Sequence, residues 1–276
     1  MTPIAQFVET IKLPVMTEVA QALIRTLNDE DADVVTVRDI IAQDPALTAT
    51  LLRMANSATF GLSRTVTTLD SAVSIIGMAG IRARALGVCL SSMMPLPAGL
   101  DRIAFWQQCM RTAGYARWLA LAIGQDENQA WLSGMLLRLG RIVVVQHAPQ
   151  QVPAIEALPC EPGERWARER AACGFDEGEI MAEIARRWEF PDSIIETLSH
   201  CVQAAETAQA GTPEGAPRAA GVLHIAALLA DHDSVAVETL ATLPEALVSR
   251  TGLNLLWLGM HLPDPEQFTA SAVQQQ

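Results

Sequence analysis

The sequence predicts an all-α protein, and three observations predict it. Alanine and leucine supply 74 of the 276 residues, 43 and 31 respectively, against one Tyr, six Phe and six Trp, a balance that favours helix over sheet. Apolar residues recur at spacings of three and four along almost the whole chain, the period of a helix with one buried face. Start and stop signals (Asp-Pro, single Gly, paired Pro) divide that pattern into short segments. With 50% hydrophobic and 18% charged residues, the chain holds enough apolar material for a sizeable core and is neither disordered nor fibrous.

In chain order, Ile4, Val8 and Ile11 mark a first helix, and Val15, Val19, Ala22, Leu23 and Leu27 a second. Asp29–Asp33 reads as a solvated acidic turn, and Thr36 as the N-cap of a helix over Val37–Gln43. Asp44-Pro45 opens the next helix, because a carboxylate accepts from free first-turn amides and Pro suits the first helical position. Leu47, Leu51, Leu52 and Met54 follow, and Asn56 reads as a stop or corner residue. Leu69–Ile76 is a short helix closed by Gly77, and a longer one runs from Ala79 to about Met94, where Pro95 and Pro97 end it. Leu100–Ile123, ended by Gly124, and Asn128–Gln146 are the two longest segments; the β-branched run Val143–Val145 has helical flanks and is assigned to the second. Helices are expected at Glu164–Ala172, Glu177–Trp188 and Asp192–Thr207. Residues 208–217 form the clearest linker. Segments near Arg218–Asp231, Val235–Leu243, Pro244–Thr251, Leu253–His261 and Asp264–Ala272 complete the chain.

Net charge is −12, and it falls from −2 over residues 1–100 to −4 over 101–202 and −6 over 203–276. No third is basic, which argues against a nucleic-acid footprint. The first 25 residues carry Glu9, Lys12 and Glu18 where a secretory signal would be apolar. The uncharged stretch Ala85–Leu100 is too short to span a bilayer. Five scattered cysteines without a CxxC read as buried or idle thiols of a reducing cytoplasm. Neither membrane attachment nor a cofactor is expected.

Three motifs in the first half together resemble a known family. They are Ile40–Leu47 (IIAQDPAL), Leu51–Ala58 (LLRMANSA) and Ser71–Gly77 (SAVSIIG). Their order is similar to that of the HDOD domain, the HD-related output domain of bacterial signalling proteins, over roughly residues 7–205. In the second half, Gly134–Gly140 (GMLLRLG) stands where related phosphohydrolases carry Gly-Leu-Leu-His-Asp-Ile-Gly, and Trp188–Pro191 resembles their W-x-x-P corner. The resemblance implies an HDOD domain over 1–205, with an N-terminal helical bundle at about 1–97 packed on a degenerate HD-like bundle at about 98–205. A helical extension at 206–276 is expected to fold back, since Leu253, Leu255, Leu256, Trp257, Leu258 and Leu262 are too apolar to stay free. No room is left for a fused sensory domain, so a stand-alone module or a piece of a larger protein is expected.

Hydrolysis on that scaffold needs several imidazoles and carboxylates on one or two metal ions. The resemblance places Gln108, Leu137, Arg138, Glu177 and His200 in the vestigial pocket. Leu137-Arg138 replaces the His-Asp doublet, Glu177 stands at a further His position, and only His200 survives. One imidazole is not a hydrolytic site, so the chain is expected not to be an enzyme and to hold no metal. Arg138 and Arg141 share a helical face and, with Arg186 and Arg187 lining the same vestigial pocket, are the candidate contacts for an anion; the competing reading makes them a surface face paired with Glu177, Glu179 and Glu183. His200-Cys201 is no catalytic pair, because sequence neighbours point to different helix faces. Trp106, Trp118, Trp131 and Trp188 read as packing anchors. No nucleophile elbow, P-loop or dinucleotide motif occurs.

The leading expectation is a non-catalytic bacterial regulatory module that works through a protein partner. Phe60, Leu62 and Arg64 are its candidate rim, beside a groove between the two lobes. A sensor of a small, nucleotide-like anion in the vestigial pocket and an active metal-dependent phosphohydrolase are the alternatives.

Overall fold

A computed structural model describes residues 2–11, 13–57, 65–158, 160–210, 217–232 and 234–269. The rim residues Phe60, Leu62 and Arg64 lie outside them. Among the described residues every regular element is a helix.

The first lobe gathers α2 (Glu18–Leu27), α3 (Val34–Ala42), α4 (Pro45–Ala55) and α5 (Leu69–Ile76) against α6 (Met78–Met93). Its helices begin where local chemistry dictates. Thr17 caps α2 through Ala20 N. Asp44 caps α4, accepting from Ala46 N and Leu47 N at 2.9 and 3.0 Å, with Pro45 behind it, as the sequence predicts. The cap of α3 is Asp33 and not Thr36, whose own amide donates to Asp33 at 2.7 Å. A carboxylate three residues upstream outcompetes the hydroxyl and starts the helix earlier. Asn56 ends α4 at φ −86°, outside the left-handed region. Its side chain donates to the carbonyls of Leu52 and Val66 and accepts from Val66 N, tying together two points ten residues apart. Gly77, at φ 79°, makes the corner between α5 and α6.

The second lobe is built on the antiparallel pair α7 (Arg102–Ala122) and α8 (Glu127–His147), with α10 (Glu164–Cys173), α11 (Glu177–Arg187) and α12 (Asp192–Cys201) around it. Between α8 and α10 lie a 3-10 turn at Pro149–Gln151 and α9 (Val152–Ile155). Two glycines set the spacing. A Cβ on Gly134 would stand 2.8 Å from the Ala113 Cα of α7, and one on Gly140 would overlap the Glu177 carbonyl of α11. The lobes meet where α6 crosses α8, with the Trp131 ring over Gly87.

Two expectations change. Residues 192–207 form two helices, α12 and α13 (Ala204–Gln209). The first helix, α1 (Pro3–Glu9), docks on the second lobe: Phe7 meets His147 and Phe175 at ring distances of 4.6 and 5.3 Å, and Arg187 donates to the Ala5 carbonyl. Beyond residue 205, α14 (Arg218–Asp231) is a core helix packed on α7, α8 and α12. Its stretch from Ala219 to Ala230 carries no Asp, Glu, Lys or Arg and is almost all buried, which is what a core position requires. The remaining short helices are α15 (Val237–Leu240), α16 (Glu245–Thr251), α17 (Leu255–Met260) and α18 (Glu266–Thr269).

Candidate functional site

Helices α7, α8, α10, α11 and α14 converge on a buried ionic cluster. At its centre the Arg138 guanidinium has 0% exposure. Its Nε donates to Thr112 Oγ1 at 2.9 Å, Nη1 to Glu177 at 2.7 Å, and Nη2 to both Asp231 at 2.7 Å and the Ala227 carbonyl at 2.9 Å. Four of the five guanidinium hydrogens are thereby placed. Glu177, also at 0% exposure, sits at the first turn of α11, close against α8 because Gly140 has no side chain. Its Oε1 additionally accepts from Trp166 Nε1 at 2.8 Å and Arg165 Nη2 at 3.2 Å. Arg165 also reaches Glu169, which accepts the Glu177 amide at 2.9 Å.

Two guanidinium groups thus face three buried carboxylates, Glu169, Glu177 and Asp231. Burial, and then the charge of Glu177, push the Glu169 carboxyl up to about 8. A proton on Glu169 balances the cluster. Burial works the other way from Arg138 and Arg165 at Asp231, but the two cations prevail and hold that carboxyl below its usual range.

The outer side of the cluster opens on a cleft of about 490 Å³ lined by Gln108, Arg141, Glu156, Arg165 and Asp231. Gln108 bridges the two sides, donating to Asp231 at 2.6 Å and accepting from Arg141 at 2.6 Å. Arg141 also pairs with Glu156.

The expected pocket residues therefore separate. Gln108, Arg138 and Glu177 come together; Leu137 is fully buried one residue along α8 and packs near Gly178 of α11. His200 does not join them. It is exposed near the end of α12, with Nδ1 2.9 Å from the Glu196 carbonyl. The surface-face reading of Arg138 also fails: its partner is Glu177 as expected, but the pair is interior, because the chain brings α14 across it. As an anion contact Arg138 is closed off, and Arg141 is engaged by Glu156 and Gln108. Arg186 and Arg187 pair with Glu183 outside the cluster. Arg165, Trp166, Glu169 and Asp231 were not anticipated. Their visible signals were the i,i+4 pair Arg165–Glu169 and one acid closing a helix that carries no Asp, Glu, Lys or Arg from Ala219 to Ala230.

A hydrolytic metal ion does not fit this residue set. Leu137 has no donor atom, the Arg138 guanidinium brings positive charge to the centre, and Glu177 and Asp231 are already bound to it. Among the described residues no three His, Cys, Asp or Glu side chains converge as ligands. The buried histidine, His224, is bonded to the Cys201 carbonyl at 2.8 Å and packs on Trp166.

The sequence profile of the HDOD domain matches residues 13–204. The chain belongs to the HDOD domain family. A Treponema pallidum (strain Nichols) relative, described as an uncharacterized protein, is 25% identical over 177 residues, which is 63% of this chain and 34% of its own. The match thus spans about a third of that curated relative. Among solved structures, a protein of Shewanella amazonensis SB2B named as a candidate phosphohydrolase superposes with TM-score 0.78 at 24% identity, covering 98% of this chain and 97% of that one. A candidate signal transduction protein of Marinobacter aquaeolei VT8 gives 0.74 at 21%, covering 98% and 61%. An HDOD domain protein of unknown function from Geobacter sulfurreducens gives 0.71 at 19%, covering 97% and 96%. These likenesses carry the fold, in which the HDOD match ends at residue 204, short of the α14 helix that completes the buried cluster here. No single helix among the described residues is long and apolar enough to cross a membrane.

Proposed function

We propose that this HDOD protein is a non-catalytic regulatory module of the bacterial cytoplasm, acting in signal transduction through contacts with a protein partner. The observation that carries the reading is the Arg138 guanidinium, held by Thr112, Glu177, Ala227 and Asp231, at a residue that the motif resemblance aligns with the hydrolases' metal-binding doublet. It supplies from within the chain the positive charge that a metal ion supplies in an HD hydrolase, and it has no vacant coordination site at which to activate water. The cluster then serves as a structural centre joining α7, α8, α10, α11 and α14. Membership in the HDOD family and the Marinobacter aquaeolei VT8 structure named for signal transduction support the pathway class, and the acidic charge balance supports a protein rather than a nucleic-acid partner.

The test has two parts. The full chain is incubated with Mn²⁺, Zn²⁺, Fe²⁺ or Mg²⁺, desalted, analysed for metal and assayed on bis(p-nitrophenyl) phosphate. No stoichiometric metal and no turnover are expected; bound metal, or hydrolysis lost in Asp231→Asn, overturns the reading. Affinity capture from the native cell is expected to recover a protein partner whose binding survives chelation.

A further inference from the structure

Helix α17 has one side in the core and one in water. Leu258 is fully buried and anchors it, and Asn254 caps it by accepting from the Trp257 amide at 3.1 Å. On the opposite side Leu255, Gly259, Leu256 and Met260 follow one another around less than half a turn. Leu256 is 80% and Met260 75% exposed. Val237 of α15, 56% exposed, lies against Gly259, where a Cβ would stand 3.3 Å from its Cγ1. Single exposed apolar side chains are ordinary. Here two elements bring theirs together, and the stacked rings of Trp257 and His261, 4.2 Å apart, continue the face beyond Met260.

The charge around this face is of one sign. Residues 234–269 carry four acids, Glu238, Glu245, Asp264 and Glu266, against one Arg and no Lys. All four acids are exposed. Among the described residues none of them is in a salt bridge. Glu238 directly follows Val237 on α15, and Asp264 and Glu266 follow Met260 by four and six residues. A second copy seated face to face would set these acids against their own counterparts, and an anionic lipid surface would be repelled in the same way. A cationic partner gains where those two lose. The flexible Met260 thioether adapts to an incoming apolar ridge.

We propose that the face formed by α15 and α17 docks a basic amphipathic helix of a partner protein. The apolar side chains of that helix rest on Val237, Leu256 and Met260, and its Lys or Arg side chains face Glu238, Asp264 and Glu266. The face lies outside residues 13–204, the span of the HDOD match, so the partner is selected by a part of the chain separate from the shared domain. The inference rests on the reading that this protein acts through a protein partner, and adds where the contact is made and by what chemistry.

The test uses the full chain and a fluorescein-labelled peptide of Leu and Lys patterned as an amphipathic helix, titrated by fluorescence anisotropy. One control has the same composition in scrambled order and so no apolar face; another has every Lys replaced by Glu. Saturable binding of the amphipathic basic peptide is expected at micromolar concentration. The scrambled peptide should bind about tenfold more weakly, and the acidic one not at all. Leu256→Ser/Met260→Ser should weaken the basic peptide by about tenfold and Glu238→Gln/Glu266→Gln by about threefold. All four positions are exposed, so both variants should keep the parent urea midpoint. No saturable binding, equal binding of the scrambled peptide, or unchanged affinity in either folded variant overturns the proposal. So does a dimer in light scattering, or co-sedimentation with phosphatidylglycerol vesicles, that Leu256→Ser/Met260→Ser abolishes, because the face then belongs to a second copy or to lipid. Capture from the native cell separates the two readings: a partner held equally by Leu256→Ser/Met260→Ser overturns this face alone, and no partner with the unaltered chain overturns both.

Discussion

Replacing Arg138 by Met retains a flexible apolar stem and deletes the charge. The structure sets the size of the effect. Arg138 is fully buried and makes four hydrogen bonds, two of them to carboxylates at 2.7 Å. Without it, Arg165 alone faces Glu169, Glu177 and Asp231, and it lies 3.2 Å from Glu177 and 3.9 Å from Asp231. Breaking a buried pair by removing one partner costs about 3–5 kcal/mol, mostly the penalty for the charge left behind. The four contacts are not summed, because they form one network. The assay is urea unfolding followed by far-UV circular dichroism. Arg138→Met should lose about 3–5 kcal/mol, and Arg138→Lys an intermediate amount, because an ammonium cannot span Thr112, Glu177 and Asp231 as a planar fork does. Adding Glu177→Gln to Arg138→Met should cost less than the two single losses together. A native-like Arg138→Met protein that loses less than about 1 kcal/mol would refute the reasoning.

Asp44→Ala removes an acceptor for two first-turn amides and should cost about 1 kcal/mol, read as a lower urea midpoint; an unchanged midpoint with impaired partner capture would make Asp44 a contact residue. Gly140→Ala puts a methyl group into the Glu177 carbonyl and should cost about 1–3 kcal/mol or more as α8 and α11 separate, whereas Gly174→Ala, with open space around its Cβ position, changes only the strain of its positive φ. Unfolding across pH reports the third. Glu169 has a folded value of about 8 against an ordinary 4.5, so the folded state binds the extra proton between them. Its contribution is complete below about pH 4.5 and is lost as pH rises through about 8. Asp176, raised to about 6 by burial first, acts in the same direction from 3.8 upward. Stability should therefore fall from pH 6 to pH 8 through Glu169, the share of Asp176 being spent by about pH 6, and Glu169→Gln should flatten the fall; a pH profile that Glu169→Gln leaves unchanged would contradict the assignment.

Much of this was legible in the residues. Asp44-Pro45 and Gly77 fixed helix ends through local hydrogen bonding and backbone freedom, which sequence neighbours alone determine. The long helix over Asn128–Gln146 followed from the spacing of its apolar residues and is α8, Glu127–His147. The cluster was only half legible, because its partners are remote: Arg138 meets Glu177 39 residues away and Asp231 93 residues away. Periodicity shows that a helix face is buried but not which charge will meet it there. Asp231 fell in a segment read as an extension, and so the element that completes the cluster lay beyond the domain boundary drawn from motifs. His200 was misplaced for the converse reason: a motif position gives a residue number, while one turn of α12 decides whether the ring faces the core or water.

The docking of the two outermost described helices has a mechanical consequence. α1 rests on α11 and α18 rests on α7, so both are attached to the second lobe. The run from α2 to α5 is an excursion that leaves this lobe after α1 and returns through α6. A pull applied between α1 and α18 is borne by the second lobe, and the excursion lies outside that line of force. It stays tied to that lobe along α6 and where the Asn28 side chain donates to the Glu189 carbonyl at 2.7 Å.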